Sequence, residues 1–470
     1  MLKSLLTGLA LTFSITSLTY ASTTATEALP ELVSRGAYLA TAGDCAACHR
    51  DTQSEHPLAG GYGIQSPIGV IYASNITPSL QYGIGRYSLA DFKAVMRQGI
   101  APTGRYLYPA MPYTAFAGMS DGDLQALYSY LMLAVKPVDH QVAQTELPFP
   151  FSFRPVMRVW NALYLNSAPV SGSDASAGSI ERGGYLVKTL THCSTCHTPR
   201  NTLMAEKADV FLSGSQLAGW IAPNITPDRQ AGIGQWSEQQ LVTYLQTGAV
   251  HGLAIAGGEM GTAVQNSFSK LNDDDLVAIA RYIKSVSAIQ GEARNQTVQH
   301  GKSADQLSTE TGVKMDPHGL TETQSMSGAQ LYNGACATCH GSDGKGTQDP
   351  QHFYPALVGA SAVNNRQPNN LIMTIAEGID RNTSSGHAFM PEFRTQFTTA
   401  QLAQVAEYVT QQFGGNTSTQ ISARQVQQAI SGVDNCNGVI HYASRLVYIG
   451  IAGIVIVLLG CIIFFKRRSR

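Results

Sequence analysis

Apolar residues recur at helical spacing in three similar places along the chain. The segments LQALYSYL (124–131), LVAIARYI (276–283) and LAQVAEYV (402–409) each place a leucine, a second apolar residue and an aromatic residue or its neighbour on one helical stripe. Ser120, Asn272 and Thr398, each with Asp or Gln three residues later, are typical N-cap residues for these segments. The pattern predicts three amphipathic helices whose apolar stripes form the walls of a core.

Each of these helices closes a longer repeated pattern. An opening segment with Gly-x-x-Leu begins at Gly36, Gly183 and Gly328, and a middle helical segment ends at Gly99, Gly248 and Gly378. The first two copies share NITP followed by GIG, at 75–85 and 224–234, and the third copy does not. The chain is therefore predicted to contain three helical modules: module 1 (31–136), module 2 (178–288) and module 3 (327–413).

The two ends of the chain are apolar and differ in kind. Residues 1–21 combine one lysine, an apolar stretch and the small-residue sequence Thr19-Tyr20-Ala21, which is typical of a signal peptide. Residues 446–465 carry no charge, would form a helix about 30 Å long, and precede four basic residues. We expect a C-terminal transmembrane helix in the cell inner membrane, with the modules on the periplasmic side. A buried core helix is the alternative for either segment.

The composition is that of a folded protein without a strongly charged surface. Of the 470 residues, 44% are hydrophobic and 13% are charged, and the formal net charge is −1. This balance does not favour nucleic-acid binding. A dinucleotide site is not indicated either, because GIGRYS and GIGQWS lack the third glycine of Gly-x-Gly-x-x-Gly.

Each module carries the sequence Cys-x-x-Cys-His directly after its opening segment. The motif residues are Cys45, Cys48, His49, Cys193, Cys196, His197, Cys336, Cys339 and His340. This spacing is the attachment signature of c-type haem, in which two sulfurs bind the porphyrin and the histidine ligates iron. A zinc site would need the motifs to pair, and three motifs do not pair evenly. The sequence predicts three covalently bound haem c groups.

A methionine follows each motif and is the candidate sixth iron ligand. The three candidates, 62, 63 and 50 residues after the motif histidines, are Met111, Met260 and Met390. A thioether ligand stabilises ferrous iron and suits a haem that carries electrons. Met119 competes in module 1, and His251 and His387 are alternatives in modules 2 and 3. Core filling is the other explanation for any one of the 12 methionines.

These residues resemble one known family. The three motifs, the segment SPIGVIYASNITPSLQYGIG, the sequence YPAMPY and the C-terminal anchor look like the triheme cytochrome c subunit of bacterial membrane-bound dehydrogenases. That family serves gluconate, sorbitol and fructose dehydrogenases and is related to the alcohol dehydrogenase cytochrome c subunit. The resemblance implies a mainly α fold of three tandem class I cytochrome c-like domains, and it implies that the Pro355 carbonyl orients His340.

The resemblance also implies a function and partners. In such complexes a large catalytic subunit oxidises the substrate, and the cytochrome subunit, itself non-catalytic, passes the electrons to membrane ubiquinone. A flavoprotein partner is favoured over a pyrroloquinoline-quinone protein, and a small third subunit can accompany them. Two other functions stay open: a stand-alone anchored carrier that feeds an oxidase, and a catalytic multihaem enzyme, which needs an iron with an open sixth position.

The linkers and the two remaining cysteines carry weaker signals. Residues 146–165 are apolar and aromatic, so we expect them to pack between modules 1 and 2 or to form a docking surface. Residues 287–326 are polar and are predicted to be an exposed connector. Cys436 is expected to be a free thiol on the periplasmic side, with an intersubunit disulfide as the alternative, and Cys461 is expected to lie in the anchor.

Overall fold

The computed structural model describes residues 29–51, 56–295, 302–311, 326–349 and 352–432, together with residues 445, 448–450 and 453. The predicted signal peptide, Cys436 and Cys461 lie outside these residues, as does most of the predicted span 446–465. Within the described part, no helix combines the length and the apolar character that crossing a membrane requires. The described chain is mainly helical, as predicted, and adds short two-stranded antiparallel hairpins.

The helices and strands follow the order of the repeated sequence signals. Module 1 contains α1 (Leu29–Ala42), α2 (Cys45–His49), β1 (Gly63–Ser66), β2 (Gly69–Tyr72), α3 (Leu89–Gln98), α4 (Tyr113–Phe116) and α5 (Asp121–Leu133), and α6 (Val156–Tyr164) follows it. Module 2 contains α7 (Ile180–Tyr185), a π-helical turn (Leu186–Leu190), α8 (Ser194–His197), a 3-10 turn (Ala208–Val210), β3 (Ser215–Leu217), β4 (Trp220–Ala222), α9 (Glu238–Thr247), β5 (Ala249–Val250), β6 (Ala254–Ile255), α10 (Gly258–Asn266), a 3-10 turn (Phe268–Lys270) and α11 (Asp273–Ser285).

The third module is built in the same order and is flanked by a helix on each side. Its elements are α12 (Ala304–Thr311), α13 (Gly328–Ala335), α14 (Ala337–His340), β7 (Thr347–Asp349), β8 (His352–Tyr354), α15 (Asn369–Glu377), β9 (Ile379–Thr383), β10 (Gly386–Met390), α16 (Thr399–Phe413) and α17 (Ala423–Ser431).

The predicted helix ends are present. Ser120 and Asn272 accept the backbone N–H three residues later at the starts of α5 and α11, and Thr398 forms a capping box with Gln401 at the start of α16. Gly99 and Gly248 end α3 and α9 with φ of 63° and 74°, a left-handed conformation that glycine adopts without strain.

In every module the opening helix crosses the closing helix at a glycine. A Cβ on Gly36, Gly183 or Gly328 would lie 2.0, 1.9 or 2.2 Å from a backbone oxygen of the closing helix. No side chain fits at that distance, so the two helices approach each other as closely as backbones allow. This explains why the Gly-x-x-Leu signal recurs before each motif.

Modules 1 and 2 share one hydrophobic core, whereas module 3 has its own. The shared cluster runs from Leu39 and Leu124 in module 1 to Leu186 and Ile279 in module 2, all nearly inaccessible to solvent. The second cluster lies in module 3 and includes Trp220 of module 2 at its edge. Modules 1 and 2 therefore form a closer pair, in agreement with their closer sequences.

A reciprocal polar contact ties modules 1 and 2 together at the same core. Tyr185 of module 2 donates its phenol to Asp123 of module 1, while Tyr38 of module 1 donates to Asp275 of module 2 at 2.7 Å. Each carboxylate is also paired with an arginine of its own module: Arg35 Nε lies 2.9 Å from Asp123, and Arg182 Nε lies 2.8 Å from Asp275. We call these six residues the tyrosine latch. Module 3 has Ser327, Gln330 and Gln401 at the corresponding sequence positions.

The linkers differ partly from expectation. The linker 146–165 packs on module 1 through Leu147 and Met157, and Trp160 donates to the Leu203 carbonyl of module 2 at 2.9 Å, so it lies between the modules as predicted. Phe153 and Leu163 nevertheless remain exposed. The described residues of the connector 287–326 are mostly exposed, as predicted, but α12 packs on module 3 through Leu307, which is fully buried.

Candidate functional site

Each Cys-x-x-Cys-His motif lies on a helical turn of its own, directly after the opening helix of its module. The backbone N–H of the histidine bonds to the carbonyl of the first cysteine at 2.9 Å in modules 2 and 3, so the two cysteines and the histidine share one turn. All six motif cysteines are half-buried, and they form no disulfides with any cysteine in the described part of the chain. The helix therefore presents two thiols and one imidazole together.

Each motif histidine is oriented by a backbone carbonyl. The Nδ1 atoms of His49, His197 and His340 lie 2.6, 2.8 and 2.9 Å from the carbonyl oxygens of Ser74, Pro223 and Pro355. A donating Nδ1–H fixes the tautomer and leaves Nε2 as the nitrogen that can ligate a metal. The predicted contact between His340 and Pro355 is confirmed. The resulting residue pairs are His49 with Ser74, His197 with Pro223, and His340 with Pro355.

The repeated NITP sequence is what positions two of these carbonyls. Asn75 Oδ1 accepts from the backbone N–H and the hydroxyl of Thr77 at 2.9 and 2.7 Å, and its Nδ2 donates to the Val138 carbonyl. Asn224 does the same with Thr226 and with the Ile289 carbonyl. Sequence analysis found the motif but missed its role. The residue before each NITP supplies the carbonyl that accepts from the motif histidine. The repetition of NITP in modules 1 and 2 is the signal that could have revealed this role.

Burial supports the neutral form of the three histidines. Desolvation lowers the pKa of His49, His197 and His340, and the bond to the backbone carbonyl opposes this shift. A neutral imidazole is the form that binds iron. The same desolvation raises the pKa of the Cys48 thiol to about 11, so this sulfur is protonated at neutral pH.

The three candidate methionines take different local structures. Met111 lies in the turn before α4, Met260 in the first turn of α10 and Met390 at the end of β10. All three are half-buried and pack at the edge of a core cluster. Their role as iron ligands stays a prediction.

The competing ligands have other surroundings. Met119 is completely buried in the core shared by modules 1 and 2, which is the environment of a packing residue. His387 is half exposed and pairs with Asp380 at 2.7 Å, while His251 lies on an exposed turn. Among the described residues, no three His, Cys, Asp or Glu side chains converge into a group that could hold a metal ion.

Modules 1 and 2 meet beside their motifs. The ring of Phe116 in module 1 meets the ring of His192, next to Cys193, edge-on at 5.6 Å between centroids. On the other side, α10 of module 2 lies against α2, and Tyr62 donates to Glu259 at 3.3 Å. Module 3 joins module 2 through Asn370, whose amide makes two 2.8 Å hydrogen bonds to the backbone of Ile221.

The donor set of each site fits a covalently bound haem c. Two half-buried thiols share one helical turn with a neutral imidazole, and that imidazole is held by a backbone carbonyl in the manner of a metal-ligating histidine. When bound, haem supplies a one-electron iron centre. The two cysteines of each motif would attach it, and the backbone carbonyl would orient its histidine ligand.

The chain is similar to a known family and to several known proteins. The family profile described as Cytochrome c matches residues 180–287 and 325–412. The chain is 42% identical over 409 residues to the fructose dehydrogenase cytochrome subunit of Gluconobacter japonicus, covering 85% of this chain and 83% of that protein. It is 36% identical to the cytochrome c subunit of alcohol dehydrogenase (quinone) from Gluconacetobacter polyoxogenes, with 89% of each chain covered. It is 35% identical to the gluconate 2-dehydrogenase cytochrome c subunit of Pantoea cypripedii, covering 87% of this chain and 92% of that protein.

Proposed function

This chain belongs to the family of cytochrome c subunits of dehydrogenases, and we propose that it holds three haem c groups and passes electrons from a flavin-containing catalytic subunit to membrane ubiquinone. The observation that carries the number three is the repeated geometry of the motifs. Each one has two thiols on a helical turn and a histidine whose Nδ1 meets a backbone carbonyl at 2.6 to 2.9 Å.

Haem stoichiometry tests this proposal directly. We expect three haems per chain in the purified protein by pyridine haemochrome absorbance and intact mass. Replacing His49, His197 or His340 with alanine should each perturb one haem, whereas His56→Ala, at an exposed position outside the sites, should perturb none. Two haems or fewer in the native protein would refute the proposal.

Methionine ligation makes each haem an electron carrier with a raised reduction potential. Met111, Met260 and Met390 are proposed as the sixth ligands, and each sits half-buried at the edge of a core. Replacing one of them with histidine should lower the potential of one haem and abolish its methionine charge-transfer band. Met119→Leu is the matched control in module 1. A shift with Met119→Leu and none with the Met111 variant would reverse that assignment.

The names of the relatives support a dehydrogenase partner that acts on a sugar, a sugar acid or an alcohol. The fructose dehydrogenase subunit has the highest identity of the three, and we propose a flavoprotein as the large subunit. Purification of the native complex through this chain should yield a large flavin-containing subunit. A quinoprotein in its place would change the cofactor class, and a lone red protein would support a stand-alone carrier instead.

The membrane association is proposed from the sequence. An exported chain with its anchor at 446–465 places the haem modules beside the quinone pool, and the word quinone in the name of one relative agrees with this acceptor. A chain ending at residue 440 should be released in soluble form from the periplasm, while the full chain resists carbonate extraction. Reduction of a short-chain ubiquinone by the full complex, lost in that truncation, tests the acceptor.

A further inference from the structure

A buried arginine of module 3 projects into module 2. Arg381 is the third residue of β9, opposite Ala388 of β10, and only 3% of it is exposed. Its Nη1 donates to the carbonyl of Ala256 in module 2 at 2.5 Å, and its Nε is buried without a hydrogen-bond partner in the ranges that the structure describes. A guanidinium has five N–H donors, so most of this one's donors lack an acceptor among the described residues.

Arg381 also lacks a counter-charge within the part of the chain that the structure describes. No ion pair of the described residues includes it, whereas Arg182, another shielded arginine, is held by Asp275 at 2.8 Å. The nearest titratable group that acts on it is the phenol of Tyr244, which is neutral at physiological pH because burial raises the pKa of Tyr244 to about 12. Burying an isolated cation is strongly unfavourable in a protein, and folded proteins relieve that cost with an anion.

A glycine of module 2 makes room for this guanidinium. Gly248 faces it, and a Cβ there would lie 2.5 Å from Arg381 Cζ. Tyr244 and Gly248 belong to α9 and its C-terminus, and Ala256 stands four residues before Met260, the proposed iron ligand of module 2. Asn382 continues the contact with a 2.7 Å bond from its N–H to Gln265 of α10. The groups that surround the guanidinium therefore belong to α9, to the residue after β6 and to α10, the helix that carries Met260.

We propose that Arg381 binds a propionate carboxylate of the haem held in module 2, so that module 3 completes the second haem site. This inference rests on the proposed function, because it needs a haem at Cys193, Cys196 and His197. Haem propionates are carboxylates, and a charge-assisted hydrogen bond to a guanidinium is the strongest pairing available to either group. Arg381 is a positioning residue that acts on the iron through the propionate.

We expect the reduction potential of that haem to depend on the charge of Arg381. A cation beside the propionate offsets negative charge near the iron and favours the ferrous state. In Arg381→Gln, we expect the reduction equilibrium constant of one haem to fall about tenfold, a shift of about 59 mV for one electron. Arg381→Lys keeps the charge and should retain most of the native potential. Arg394→Gln, an exposed arginine of the same module, is the matched control and should change none of the three potentials.

The experiment is a spectroelectrochemical titration of the full, haem-loaded chain, with module 2 identified by the Met260 variant. A shift confined to the haem of module 2 supports the proposal. Unchanged potentials in Arg381→Gln with three haems present would overturn it, and so would equal shifts in the Gln and Lys variants. A shift confined to module 3 would assign the carboxylate to that module's haem and overturn the cross-module contact.

A second measurement covers the case in which Arg381→Gln fails to mature. Redox-difference infrared spectra of Arg381→Lys should show a shifted propionate carboxylate band, because an ammonium replaces a planar guanidinium. An unshifted band would overturn the proposal. Fewer than three haems in the native chain would instead be a failure of the proposed function, which the haemochrome assay reports separately.

Discussion

The tyrosine latch gives the sharpest prediction about how this chain holds its modules together. Tyr185→Phe removes one hydroxyl from a completely buried side chain and leaves its ring in place. The hydroxyl donates to Asp123, which is 1% exposed, and accepts from the N–H of Ser120 at 3.1 Å. Without it one oxygen of a buried carboxylate loses its donor, while Arg35 still holds the other oxygen at 2.9 Å.

The expected cost follows from the charge of the acceptor. A hydrogen bond to a charged group contributes about 1.5–3 kcal/mol, and a buried acceptor left without a donor falls in the upper part of that range. We expect Tyr185→Phe to lower the free energy of unfolding of modules 1 and 2 by about 2–3 kcal/mol. Tyr38→Phe, whose phenol is half-buried beside Asp275, should cost about 1.5–2 kcal/mol.

Denaturation of the haem-loaded chain measures these changes in the free energy of unfolding, and calorimetry counts the unfolding transitions. In the wild type, we expect modules 1 and 2 to unfold in one transition because they share a core. The Tyr38→Phe, Tyr185→Phe double variant should separate that transition into two. Tyr128→Phe is the matched control: its phenol donates to a neutral carbonyl, that of Tyr87, within module 1, so its loss should cost about 0.5–1.5 kcal/mol and leave a single transition. Equal losses in Tyr185→Phe and Tyr128→Phe would refute the latch.

Three further predictions concern the packing, the histidine support and the latch phenols. Gly183→Ala should destabilise module 2 by about 2–4 kcal/mol in the same denaturation assay, since its Cβ would lie 1.9 Å from the Ala278 oxygen. The control Gly122→Ala, with open space around it, should be neutral or slightly stabilising, and equal effects of the two variants would disprove the close crossing. Asn224→Ala should release the Pro223 carbonyl and broaden the low-spin ferric signal of one haem in electron paramagnetic resonance, and an unchanged spectrum would contradict that role. Burial raises the pKa of both latch phenols, so their contribution to the stability of modules 1 and 2 should be complete below about pH 10 and decline above it. If the denaturation midpoint of the wild type falls above about pH 10 no more steeply than that of the double variant, this reasoning is contradicted.

Much of the fold was accessible from local sequence. Helix starts such as Thr398 with Gln401 and helix ends such as Gly99 depend on a few neighbouring residues, and the structure confirms them. The Cys-x-x-Cys-His spacing fixes two thiols and an imidazole on one turn, because one turn spans that interval. The repeat of these signals placed the modules in the right order along the chain.

The contacts that join the modules were not accessible in this way. Tyr38 and Asp275 are separated by 237 positions, and Arg381 and Ala256 by 125. Helical periodicity assigns Tyr38 to one face of α1 but does not predict which residue that face contacts. The burial of Leu307 was missed for the same reason: this residue lies in a polar segment, and only the adjacent core of module 3 makes its burial favourable.

The sequence by itself determined the motifs and the helix ends, since each depends on the geometry of a single turn. The tertiary structure decided that the recurring glycines lie where two helices cross. The tertiary structure alone decided that modules 1 and 2 share a core through the tyrosine latch, that Ser74 and Pro223 orient two of the histidines, and that Arg381 enters module 2. These contacts join residues distant in the chain, and their energies arise from burial and charge pairing, which depend on the surroundings that folding creates.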